Sequence, residues 1–245
     1  MILYINGDSH SVGADAVAPY SFANDEGRHW GTPHRHGYRE NVLASYGIKA
    51  AEILKWDWIN QAESGGSNDR IIRTTENFLE TSDIQDLFVL IGWTTWEREE
   101  WLHDGTYYQV NASGRDQVPA SLHDKYKEWV VQQDDASREQ KMLHWHDKIY
   151  QFHLSLRSRG IRHLFFNTYT DFAPIVHNQL TTTDSRPALH NWHNSYIDPY
   201  NNSYTYYYWL KNHGFNTVSE NNYHYGTQAH IKWAEFLVPH LTQLA

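Results

Sequence analysis

The chain opens on a short apolar run, Ile2, Leu3, Tyr4 and Ile5, which gives way at once to "NGDSHS". Four β-prone residues bounded by residues that stop strands predict a buried strand with a polar loop at its carboxyl end. Val42, Leu43, Tyr46, Ala50, Ile53 and Leu54 follow at three-to-four-residue spacing, which predicts an amphipathic helix interrupted by Gly47. "WDWIN" at 56–60 reads as a short strand, after which Ser67 or Asn68 caps a helix with Ile71, Ile72, Thr75 and Phe78 on one side. "DLFVLIG" at 86–92 is a near-continuous apolar run suited to the middle of a parallel sheet. A hairpin or lid is predicted around Asp104-Gly105, a long helix from Ser137 to about Gly160, and a strand over 161–169. A short strand near Phe215–Val218 and a closing helix over "GTQAHIKWAEFLVPHL" complete the pattern. Strands alternating with helices predict a parallel sheet covered on both faces.

Composition narrows the picture. At 245 residues with 40% hydrophobic positions, the chain can bury one large core, and one domain, 1–245, is expected, with irregular insertions near 12–38, 101–120 and 171–208. A net charge of -9 without clustered Lys and Arg argues against a nucleic-acid partner. No apolar stretch approaches the roughly 20 residues of a membrane span, and a strand from Ile2 without a basic flank argues against a signal peptide. A cytoplasmic or virion-associated location is the expectation. The absence of cysteine removes thiolate chemistry, so covalent catalysis falls to oxygen or nitrogen. The 11 Trp and 17 Tyr, many in polar surroundings, suit either sugar stacking or a plain core.

In a parallel sheet the loops after the strands emerge at one edge, where open α/β sheets place their chemistry. "GDSHS" brings Ser9 there, "ESGGSNDR" brings backbone amides near Gly65 and Gly66, "GWTTWERE" brings Thr94 and Thr95, and "ENNYHYGTQAH" brings His224. These are a nucleophile, oxyanion donors and a base, the set that acyl transfer needs.

The four segments resemble, in order, the conserved blocks of the SGNH (GDSL-like) hydrolases, and look most like divergent members from phages and marine bacteria. The resemblance spans residues 5 to 230 and implies a flavodoxin-like three-layer α/β/α fold around a mostly parallel five-stranded sheet. It makes Ser9 the nucleophile and an oxyanion donor, with Gly66, or Gly65 one position earlier, as the second donor. Thr94 stands where the family has its oxyanion asparagine. His224 takes the place of the base, with His230 as competitor, and Asn221 that of the aspartate that orients it, with Glu220 as substitute. Asp8, His10, Asn68, Trp93 and Arg98 are implied around the substrate, Arg98 either meeting a substrate carboxylate or pairing with Glu97 or Glu99. The implied activity is a serine esterase acting on a small acyl ester, extended by the Trp and Tyr excess to O-acetyl groups on carbohydrate, with no cofactor.

Two other readings stand beside it. Thr94 and Asn221 suit an SGNH fold that kept its cleft as a glycan-binding or virion structural domain. The "HRH" at 34–36, with His29 nearby, and "HWH" at 144–146 look like metal pairs, although i and i+2 diverge on the helix predicted for the second.

Overall fold

β1 (Ile2–Asn6) lies between β2 (Asp57–Asn60) and β3 (Leu87–Trp93), and β3 pairs in turn with β6 (Arg162–Asn167), giving an all-parallel sheet of order β2-β1-β3-β6. The computed structural model describes residues 1–17, 38–112, 118–177, 179–182, 187–220 and 222–245. Alternation along the strands sorts the core into two layers. Leu3, Ile5, Phe88, Leu90, Leu164 and Phe166 face the helices α3 (Tyr46–Leu54), α8 (Tyr206–Asn212) and α9 (Thr227–Leu244). Tyr4, Val89, Ile91, Trp93 and Phe165 face α4 (Asn68–Thr81) and α6 (Asp135–Ser158). Both faces of β1, β3 and β6 are covered, so their central residues read as apolar runs and not as alternations, whereas the edge strand β2 is partly exposed. The result is a three-layer α/β/α sandwich. The first, third and fourth of the segments singled out in the sequence follow β1, follow β3 and precede α9.

Three local differences from the sequence reading have physical causes. The sheet has four named strands among the described residues, not five: beside β6 the chain makes one parallel bridge, Tyr196 to Phe165. His193 and Asn194 just before it hold φ of 51° and 65°, so the backbone turns where a fifth strand would need to extend. Second, the strand predicted as the fifth, near Phe215–Val218, reduces to one antiparallel bridge, Thr217 to Tyr225, because the Leu210 carbonyl at the end of α8 takes the Phe215 amide at 3.1 Å. Third, the helix over 39–54 breaks at Ser45 and not at Gly47, into α2 (Arg39–Ala44) and α3. The amide of Tyr46, freed by that break, donates to Nδ1 of His230 at 3.2 Å. Gly47 serves packing instead, since a Cβ there would lie 2.8 Å from Ile5.

The hairpin at Asp104-Gly105 forms as expected, with β4 (Glu99–His103) antiparallel to β5 (Thr106–Val110). Positive φ at both turn residues, 47° and 76°, matches the twist of a two-residue hairpin turn. It packs with α5 (His123–Val131) around Trp101, Val110 and Trp129.

Candidate active site

Gly7 ends β1 at φ 152°, and a Cβ there would fall 2.0 Å from the Ser11 hydroxyl, so only glycine lets the chain turn so tightly into the loop. The next residues form a one-turn helix, α1 (Ser9–Val12), capped by Asp8, whose side chain accepts from the His10 amide at 3.0 Å. This presents Ser9 at the carboxyl edge of the sheet.

Nε2 of His224 lies 2.8 Å from Ser9 Oγ, and Nδ1 lies 2.8 Å from Oδ2 of Asp15. Because the carboxylate only accepts, Nδ1 carries the proton, and in the neutral ring Nε2 accepts from the Ser9 hydroxyl. Asp15 is nearly buried and sits at φ 60°, a conformation that Asp tolerates better than most residues. Its Oδ2 also accepts from Nδ2 of Asn222 at 2.7 Å, while Oδ1 of Asn222 receives the His224 amide at 2.8 Å. The Asp15 loop is stapled to the last helix, since the Ala16 carbonyl accepts from both the amide and the hydroxyl of Thr227 at 2.9 Å. Three side chains from distant parts of the sequence are thus aligned as hydroxyl, imidazole and carboxylate.

Asp15 and Asn222 escaped the sequence reading. The carboxylate on His224 is Asp15 and not Glu220, which is exposed, and Asn221 lies outside the described residues. One signal was present: Asp15 follows Ser9 by six residues in the small-residue stretch "VGADA", close enough to fold back on it.

Other expected site residues turn away from the cleft. The Thr94 hydroxyl donates to Oδ2 of Asp8 at 2.8 Å and its amide to Oδ1 of Asn68 at 3.0 Å, so the residue cannot also serve an oxyanion. Asn68 is fully buried, and its Nδ2 donates back to the Thr94 carbonyl at 3.2 Å, which makes it a brace between α4 and β3 and not a substrate contact. The Gly66 amide is taken by the Glu63 carbonyl at 2.9 Å, leaving the half-buried Gly65, at φ 78°, as the glycine of that turn facing outward. Trp93 is core, packed edge-on against Phe152 and Phe165. Arg98 pairs with Asp8 at 3.3 Å and not with its glutamate neighbours.

Asp8 is therefore a buried strut and not a substrate ligand. Oδ2 also receives the Thr168 hydroxyl at 3.4 Å, tying the ends of β1, β3 and β6 together. Burial alone would raise its pKa, but His10, Arg98 and the hydrogen bonds from Thr94 and the His10 amide hold it below the usual carboxylate value. His10 packs 5.2 Å from the His224 ring, edge-on, and is as buried as Ser9 beside it. Burial lowers its pKa to about 4, which keeps it neutral beside His224. His230, the competing base, lies between Tyr46 and Tyr206 with its pKa lowered by burial to about 3, and the hydrogen bond from Tyr46 occupies its Nδ1.

The metal reading finds little support in this geometry. His29, His34 and His36 lie outside the described residues, and on α6 His144 is exposed while His146 is buried. His146, Asp147 and His190 do bring three donor atoms within 4.8 Å. Yet the His190 ring is clamped parallel between Tyr150 (3.9 Å, 3°) and His146 (4.2 Å, 16°). In-plane lone pairs of two stacked imidazoles run side by side and cannot converge on one ion. Below this stack His163, His153 and His193 form a hydrogen-bonded chain that the Ile161 carbonyl anchors at 2.8 Å.

Residues 27–170 match the model of a family of unknown function, DUF6071. The chain belongs to that family. The matched stretch of this DUF6071 chain includes Gly66, Asn68, Thr94 and Arg98 but not Ser9, Asp15 or His224. Among curated proteins none matches. Among solved structures, a carbohydrate esterase superposes with a TM-score of 0.46 at 14% identity, over 99% of this chain and 64% of that one. An acetyl xylan esterase from the rumen bacterium Butyrivibrio proteoclasticus gives 0.42 at 11% identity, over 99% of this chain and 63% of that one. An alpha/beta hydrolase enzyme from the metagenome of Lake Arreo, Spain, gives 0.42 at 12% identity, over 100% and 96%. The DUF6071 chain thus spans less than two thirds of the first two, and at these scores nothing about activity transfers to it. Among its described residues no helix is long and apolar enough to cross a membrane.

Proposed function

We propose that this chain is a serine hydrolase of SGNH type that cleaves a small acyl ester, with Ser9 as nucleophile, His224 as base and Asp15 as its orienting carboxylate. The observation that carries this reading is the pair of 2.8 Å hydrogen bonds that leave Nε2 of His224 free to take the Ser9 proton. Oγ attacks the ester carbonyl while the proton passes to Nε2, and the resulting imidazolium is balanced by Asp15. The tetrahedral oxyanion meets the Ser9 amide, which as the first of α1 has no intrahelical acceptor, and the Gly65 amide. Collapse returns the proton to the alcohol as it leaves, giving acyl-Ser9. Water then attacks with its proton taken by the same nitrogen, releasing the acid and restoring Ser9. The aromatic excess supports a carbohydrate as the alcohol.

Hydrolysis of p-nitrophenyl acetate tests this, together with covalent labelling by a fluorophosphonate probe. Both are expected in the wild type and absent in Ser9→Ala, and turnover is expected to vanish in His224→Ala. Wild-type turnover in Ser9→Ala would refute it. One observation favours the second reading, a binding or virion structural domain: Thr94, in the place of the family's oxyanion asparagine, is committed to Asp8. A wild type that hydrolyses no ester in a broad panel yet binds glycans would select that reading.

A further inference from the structure

A groove of about 390 Å³ opens at the same sheet edge, lined by Trp96, Tyr169, Asp171, Asn202 and Tyr208 among others, and the chemistry proposed above leaves it unused. It adjoins the candidate site through a wall of tyrosines. Thr168, which bonds Asp8, is followed by Tyr169, and the Tyr169 ring lies 5.8 Å from Tyr223, the residue before His224, and 5.5 Å from Tyr208. Tyr207 backs this wall, 4.8 Å from Tyr169, and is fixed by its amide bond to the Thr168 carbonyl at 2.9 Å. The aromatic faces therefore run from His224 into the groove.

The polar lining limits what the groove takes. Asp171 accepts from the Ala173 amide at 2.7 Å and from Asn202 Nδ2 at 2.8 Å, one bond to each carboxylate oxygen, so each keeps acceptor capacity. Glu139, also in the lining, is tied through both oxygens to the amides and hydroxyls of Thr181 and Thr182. A hydrocarbon chain in this place would strip water from Asp171 and Asn202 without replacing it, at a cost per unpaired group that disfavours a lipid. An anionic ligand would meet two carboxylates against one cation, Arg138, which already pairs with Asp135 at 3.4 Å. What fits is a neutral ring with an apolar face for the tyrosines and hydroxyls at its rim.

We propose that this groove seats the alcohol half of the ester as a pyranose ring, stacked on the tyrosine wall, with its hydroxyls bonded to Asp171 and Asn202. The assignment rests on the esterase reading for the link to Ser9 but makes a binding claim of its own. Saturation-transfer NMR on Ser9→Ala protein tests that claim without hydrolysis, using the unacetylated methyl glycosides of glucose, galactose, xylose and N-acetylglucosamine as probes. At least one is expected to bind, and the signal is expected to fall at least fivefold in Ser9→Ala carrying Tyr208→Ala or Asn202→Ala. Asn202 lies in a surface turn, so its variant keeps the test valid should Tyr208→Ala fail to fold. Binding by none of the four, or undiminished binding in both double variants, overturns the groove assignment, whereas an inactive wild type with intact binding overturns only the esterase reading. In active protein, Tyr208→Ala is expected to lower the ratio of kcat/KM on an acetylated glycoside to that on p-nitrophenyl acetate about tenfold, chiefly through KM. An unchanged ratio overturns the placement of the substrate's alcohol half.

Discussion

Asp15→Asn isolates the charge of the proposed triad without disturbing its frame. Asn tolerates the 60° φ of this position as Asp does, and the side chains are isosteric, so the fold should survive. The carboxylate oxygen that now accepts from both His224 Nδ1 and Asn222 Nδ2, at 2.8 and 2.7 Å, would become part of an amide. With its oxygen toward His224 the amide keeps both bonds, but the imidazolium loses its counter-charge; with its nitrogen there it opposes the Asn222 donor and forces Nδ1 to accept, so that the proton moves to Nε2 and the base is also in the wrong tautomer. In a triad that loss is about 10³ to 10⁴ in kcat, or roughly 4 to 5.5 kcal/mol of transition-state stabilisation. The assay is steady-state hydrolysis of p-nitrophenyl acetate, with thermal midpoints to confirm folding and Glu220→Gln as the comparison, expected within twofold of wild type. An Asp15→Asn enzyme within threefold of wild type, or a Glu220→Gln enzyme equally crippled, would refute the assignment of the carboxylate.

Thr94→Val removes one of the donors that keep Asp8 charged inside the protein. It is expected to cost about 1 to 3 kcal/mol of stability by chemical denaturation while kcat per folded molecule stays unchanged; a tenfold loss of kcat at full stability would return Thr94 to the oxyanion hole. Acid should destabilise the fold well before carboxylates titrate. Burial lowers the pKa of His10, His146 and His163 to about 4 and of His153 and His230 to about 3, from 6.5, so the unfolded chain takes up protons first as pH falls. Stability from these groups is complete above about pH 6.5 and is lost progressively toward pH 4, and a thermal midpoint that stays flat from pH 7 to 5 would contradict this.

Wherever hydrophobic period alone decides structure, the sequence was a good guide. The run at 86–92 becomes β3, and the helix expected from Ser137 becomes α6, because a dry sheet centre and a long amphipathic pattern admit few alternatives. Breaks were less legible. α2 ends at Ser45 and the Tyr46 amide freed there is satisfied by His230, 184 positions further along, a partner that no local pattern records. The fifth predicted strand, Phe215–Val218, shrinks to the bridge from Thr217 to Tyr225 because the end of α8 takes the Phe215 amide, a contact that hydropathy does not record. At the site, Ser9 and His224 were visible because loops after strands carry chemistry, whereas Thr94 was misplaced because Asp8, a buried charge three-dimensionally beside it, takes its hydroxyl. Asp15 was hidden for the opposite reason: it sits in no periodic element, and only the closure of the chain brings it to His224.

That closure bears on when the proposed chemistry can exist at all. Ser9 and His224 meet across 215 positions of sequence, and the staple from Ala16 to Thr227 forms only once α9 has packed against the sheet. Contacts between segments so far apart in sequence form late, after the intervening chain has been ordered. While the polypeptide is being made, Ser9 and Asp15 therefore emerge early, without the imidazole that joins them. On the proposed reading, the hydrolytic site is assembled in one step, when α9 docks.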